Sequence, residues 1–121
     1  MATSGDHKLA VDMGRHLAPH LQGASQTWTL LRCIGWPVEA ANPPRPLDVR
    51  GVPPILIVNA THDASTTYKW AHSLAAQIRG SVVLTRVGDG HTSYFTSPCA
   101  REAIDRYLIE RHTPEPDREC D

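Results

Sequence analysis

Two short apolar runs without polar alternation, Ile55-Leu56-Ile57-Val58 and Val82-Val83-Leu84, punctuate an otherwise mixed chain. A run that does not alternate is covered on both faces, as in an α/β sheet, and three of the four residues in the first run are β-branched. The pattern therefore predicts two buried strands, the second extending from Val82 to Val87. Between them, Trp70, Ala71, Leu74, Ala75 and Ile78 recur at helical spacing and predict a helix over Tyr68 to Ile78 with one inward stripe. Thr66 or Thr67 suits its N-cap and Gly80 its C-terminal stop. Asn59 to Ser65 reads as the exit loop of the first strand, and Gly88-Asp89-Gly90 as a tight turn that needs glycine's freedom.

The flanking segments are less regular. Leu9, Ala10, Met13 and Leu17 predict a helix over His7 to His20, ended by Pro19, behind a frayed polar start. Gln26 to Ile34, with Trp28, Leu30 and Leu31, fits either a helix or a short buried segment. Pro37, Pro43, Pro44, Pro46, Pro53 and Pro54 then deny helix and interior strand, which predicts an extended connector. After the second strand, Thr92 to Ser97 is loop, and Ser97-Pro98 reads as N-cap and first helical residue. Ala100, Ala103, Ile104, Tyr107 and Leu108 mark the inward face of a last helix, and His112 to Asp121 reads as a polar tail.

Two parallel strands joined by a helical crossover end at the same sheet edge. That order delivers Asp63 and His91 to one place, and an acid beside a histidine is two thirds of a nucleophilic triad. Asp89 is the rival acid, but it lies two residues from His91 and, flanked by glycines, reads more simply as a turn former. His62 is expected to face solvent. Asp12, His16 and His20 fall four apart, the spacing of ligands on one helical face. Pro19 breaks that face where His20 must align, and no H-E-x-x-H pattern exists, so no metal site is assigned.

Composition narrows the class further. A chain of 121 residues, 40% hydrophobic and 21% charged, is long enough for a globular core. Its net charge of −1 advertises neither nucleic-acid nor anionic-membrane binding, and no apolar run reaches membrane-spanning length. Met1 to Ala10 lacks the apolar core of a signal peptide. Of the three cysteines, Cys99 and Cys120 could close a loop, leaving Cys33 odd; in a reducing compartment all would stay thiols.

The order of these features resembles the last quarter of an α/β-hydrolase, and more narrowly the carboxyl-terminal domain of the tripeptidyl-aminopeptidase-like serine peptidases. Ala18-Pro19, Cys33 and Trp36-Pro37 resemble that family's entry segment; Pro53 to Val58 with Asp63 its acid strand; Gly88-Asp89-Gly90-His91 its histidine loop. Ser97-Pro98-Cys99, the helix to Leu108 and Cys120 resemble its closing segment, so the likeness spans roughly residues 16 to 121. Asn59 stands where glycine or a small residue is more usual. The nucleophile elbow, G-x-S-x-G, is absent from these residues, as are the oxyanion loop and the first strands.

The resemblance implies an α/β fold, the C-terminal portion of an α/β-hydrolase with its last parallel strands, crossover and terminal helices in an incomplete sheet. It implies residues 1–46 as a helical, cap-derived entry with the proline-rich connector, and 47–121 as the hydrolase segment. His91 would be the base and Asp63 its orienting acid, in an enzyme that releases short peptides from free amino termini without a cofactor. A Cys99–Cys120 disulfide would follow, with Cys33 paired to an upstream cysteine or buried and inert, and the setting would be secreted. The chain is expected to be a fragment or a separately encoded half, inactive alone for want of the serine and oxyanion hole. Its expected partners are a peptide substrate and a complementary amino-terminal hydrolase half, with no nucleic acid or membrane. The alternative is a non-catalytic remnant or interaction domain that pairs with such a half, because sheet edges left open seek pairing.

Overall fold

The computed structural model describes residues 3–21, 31–39 and 41–121, and the chain divides into two units, Met1–Pro44 and Arg45–Asp121. In the first, helix α1 spans Ser4–Leu17. It begins earlier than periodicity predicts because Thr3 and Asp6 form a capping box. The Thr3 Oγ1 accepts from Asp6 N (3.2 Å) and the Asp6 carboxylate accepts from Thr3 N (2.7 Å). No side chain of α1 is buried; Leu9, Met13 and Leu17 are exposed. Asp12 takes the ammonium of Lys8 at 2.6 Å, and His20 lies in a separate 3-10 turn at Pro19–Leu21, off the helical series of Asp12 and His16. A second 3-10 turn covers Leu31–Cys33. The predicted segment from Gln26 lies mostly outside the described residues, as does the side chain of Cys33.

The second unit is a three-stranded parallel sheet. Strand β1 (Leu56–His62) pairs with β2 (Val82–Asp89), which pairs with β3 (Glu119–Cys120), in the order β1-β2-β3. Helix α2 (Tyr68–Ala75) makes the first crossover and α3 (Pro98–Glu110) the second. Alternation along the strands assigns them to opposite faces. On one face, Leu84 and Cys120 form the core with Ala100 and Ala103 of α3, and Leu56, Val58 and Cys99 pack against it. On the other, the Tyr68 hydroxyl of α2 meets the Thr85 hydroxyl of β2 at 2.6 Å. This is the mixed α/β architecture expected of a partial hydrolase sheet with helices on both faces.

Five expectations are corrected. The exit loop of β1 starts only after His62, because pairing with β2 continues beyond Val58. Strand β2 likewise runs through Gly88 to Asp89, so Gly88 sits in a strand irregularity and not in a free turn, and Gly90 follows as a bend. Helix α2 stops at Ala75. Ile78 leaves it to bridge Val49 of the connector, whose N–H donates to Gln77 O and whose carbonyl accepts from Arg79 N. Of the predicted stripe, Ala71 and Ile78 are buried, whereas Trp70 is 60% exposed and Leu74 40%; Leu108 of α3 is also exposed. Finally, the polar tail carries β3 and the buried Cys120.

Ser97 caps α3 as its spacing predicts: its Oγ accepts from Ala100 N at 3.1 Å, with Pro98 in the first turn. Cys99 and Cys120 form a disulfide across 21 positions, tying β3 to the start of α3. By loop entropy that link contributes about 3 kcal/mol. Reducing it is expected to lower the denaturant midpoint of Arg45–Asp121 accordingly, with hydrogen-exchange protection lost first at β3; an unchanged midpoint would show that β3 is held by its ladder alone.

Candidate active site

The carboxyl ends of β1 and β2 are shaped by one extra residue. Ala60 is opposite Arg86 and His62 is opposite Asp89, so β2 spends three steps where β1 spends two. Thr61 closes the gap: its hydroxyl donates to Gly88 O (3.3 Å) and accepts from Gly88 N (2.9 Å). Gly88 there has φ +141°. The bulge fixes how far each chain travels before it leaves the sheet, one to Asp63 and the other to His91.

Asp63 is buried, its side chain 3% exposed, and every hydrogen bond it accepts holds it in one orientation. Its Oδ1 accepts from Ser65 N and Thr66 N, both at 2.8 Å, the turn an aspartate makes with the residues just after it. Its Oδ2 accepts from Thr66 Oγ1 (2.9 Å) and His91 Nδ1 (2.9 Å). Asn59, from inside β1, donates to Thr66 O at 2.9 Å and so holds the acid loop from behind. Burial is the largest influence on the carboxyl and pushes its pKa up. The donors from the Thr66 backbone, His91, Ser65 and the Thr66 hydroxyl together outweigh it and hold the group well below the usual carboxylate range.

An ionised carboxylate only accepts, so His91 Nδ1 must carry the proton it shares with Asp63. That leaves Nε2 as the lone-pair nitrogen, on a ring that is half exposed. Among the described residues no side chain hydrogen-bonds to Nε2. The arrangement is a histidine set in one tautomer by a buried acid, with its basic nitrogen open to a third group. Asp89 does not compete: its carboxylate is 94% exposed and approaches His62 Nδ1 at 3.5 Å. His62 is itself largely exposed.

Sequence reasoning brought Asp63 and His91 to the same edge but missed the residues that hold them. Thr66 registers there only as a helix cap, yet the N-cap of α2 is Thr67 and makes no side-chain cap bond, while Thr66 serves the acid. Thr61 leaves no recognisable signal. Arg86 does, being a charge directly after the apolar run and Thr85 of β2, where it is buried.

The depressed Asp63 pKa has a signed consequence. Its stabilisation is fully present above the unfolded-state value of about 4 and is lost as pH falls from there toward the folded-state value. Asp63→Asn is therefore expected to lower the unfolding free energy at pH 7 by about 2 kcal/mol. The gap between the two proteins should close on acidification below about pH 4. A gap that does not change with pH would contradict the ionised, donor-rich acid described here.

Comparison with known proteins shows the family. Residues 18–120 match the family described as TAP-like protein. The chain is 33% identical over 98 residues to the tripeptidyl aminopeptidase of Streptomyces lividans, covering 79% of this chain and 18% of that protein. It is 36% identical over 109 residues to the serine protease Hip1 of Mycobacterium bovis, covering 88% of this chain and 21% of that protein. It thus spans about a fifth of the length of the curated relatives it matches. With a parallel sheet, crossover helices and a match over nearly its whole length, the chain belongs to the TAP-like family, a serine peptidase family of α/β-hydrolases.

Proposed function

We propose that this chain supplies the acid and the base of a serine peptidase that releases short peptides from free amino termini. The observation that carries the reading is the 2.9 Å hydrogen bond between buried Asp63 and His91 Nδ1 at the carboxyl ends of two parallel strands. In the reaction, His91 Nε2 takes the proton from a serine hydroxyl as that oxygen attacks the scissile carbonyl, then delivers it to the leaving amine. Asp63 keeps the ring in the reactive tautomer and stabilises the imidazolium that forms between the two transfers. The serine and the oxyanion donors come from outside these 121 residues, which contain no G-x-S-x-G. The isolated chain is then inactive, and its partner is a complementary hydrolase half. The disulfide is consistent with an oxidising, secreted setting.

A second reading is favoured by the sheet. Strand β1 is an outer strand of the order β1-β2-β3, with seven residues along an edge that no other strand pairs among the described residues. On that reading the chain is an interaction domain that pairs along β1 without catalysis.

A transplant separates the two. The matching segment of the Streptomyces lividans tripeptidyl aminopeptidase is replaced by this chain, and hydrolysis of a tripeptidyl p-nitroanilide is followed. The catalytic reading expects activity, with His91→Ala or Asp63→Ala lowering kcat by on the order of 10³-fold or more. A folded, active transplant indifferent to His91→Ala would sink it and leave the pairing reading.

A further inference from the structure

We propose that Arg86 is the positioning residue of the histidine loop, a buried guanidinium that holds two backbone carbonyls before His91 and the Ser93 hydroxyl after it. The inference rests on reading His91 as the base. Arg86 lies on the central strand with Ala60 and Cys120 as its register partners, and all three are buried. Its Nη2 donates to Asp89 O (2.6 Å) and Gly90 O (3.3 Å), and its Nε donates to Ser93 Oγ (3.3 Å). These acceptors belong to residues 89, 90 and 93, so one planar fork spans the loop that carries residue 91. The Gly90 carbonyl is part of the peptide unit leading directly into His91, which ties the guanidinium to the orientation of that residue.

The loop needs such a restraint. Gly88, Gly90 and Thr92 have φ of +141°, +102° and +68°. A β-branched residue such as Thr92 holds a positive φ only where its surroundings over-determine it. Gly88 is bare for the same reason that the clamp fits: a Cβ there would stand 2.9 Å from Arg86 Nη1. Among the described residues no carboxylate pairs with Arg86, and the nearby Asp89 turns its own to His62. A buried cation without a counter-ion is costly, and an aliphatic side chain would fill the strand position without that cost. What the aliphatic residue lacks is donors for the loop carbonyls. Three neighbouring contacts complete the frame: Ser93 O accepts from Thr96 N and Ser97 N, and the Tyr94 hydroxyl donates to Asp105 of α3 at 2.9 Å.

The test observes the His91 ring by long-range proton–nitrogen NMR in the full ¹⁵N-labelled chain at neutral pH. The parent is expected to show a single Nδ1–H tautomer with a protected ring proton. Arg86→Met should give averaged tautomers and ring-proton exchange faster by on the order of tenfold, the size of one lost hydrogen bond. The Ser65 and Thr66 amides, which report the acid loop, should keep their parent shifts. Arg86→Lys, which retains the charge but not the fork, should fall between the two. If Arg86→Met does not fold, Ser93→Ala carries the test: it removes one arm of the clamp and should speed ring-proton exchange with the melt unchanged. A folded Arg86→Met, or in its place Ser93→Ala, with a parent-like His91 ring overturns the positioning role alone. A parent whose ring is already averaged overturns it together with the base reading.

Discussion

Parallel pairing of β1 with β2 is the constraint on which the rest depends. It places Leu84 against α3 on one face and Thr85 against α2 on the other, so both helices acquire their packing from the same ladder. It also sets where the two strands end. The extra residue opposite Thr61 offsets the strands by one step, and from that offset Asp63 and His91, 28 residues apart in the chain, meet at 2.9 Å. The scaffold brings the two loops together, and donors within the acid loop, Ser65 and Thr66, finish the geometry. The disulfide acts on the same ladder from the far side, since it fastens β3 against Thr85 and Arg86 of β2.

Much of this was legible from pattern because the signals were local. The unbroken apolar runs at Ile55 and Val82 marked buried strands, and Ser97-Pro98 marked a helix start, each through a preference that acts within a few residues. The misplaced features depend on partners distant in sequence. Strand ends after His62 and Asp89 are set by pairing across the sheet, and β3 exists because Cys120 can reach Cys99 and β2. Periodicity over Tyr68 to Ile78 detected apolar residues but not what covers them. Ala71 and Ile78 are buried within this unit, while Trp70 is left open. For α1, the capping box of Thr3 and Asp6 outweighed an apolar spacing that begins later.

The candidate site shows the same division. The acid and the histidine were found from strand order, because topology alone brings strand ends together. Their supports were not, because Asn59, Thr61, Thr66 and Arg86 act through hydrogen bonds that no spacing rule encodes. Asn59 braces the acid loop through Thr66. The chain belongs to the TAP-like family and corresponds to about a fifth of each matched relative.

The central claim is that His91 activates a serine outside this sequence. A fluorophosphonate probe, which labels only activated serines, tests it in cells that make the protein. Proteins captured under non-denaturing conditions are reduced, digested with trypsin and searched by mass spectrometry for the peptide Trp70–Arg79, which the wild-type and His91→Ala chains share. The account predicts that this peptide is enriched from wild-type cells and lost from the captured fraction in His91→Ala cells. A peptide abundant in the extract yet never captured, or captured equally from His91→Ala cells, would contradict it.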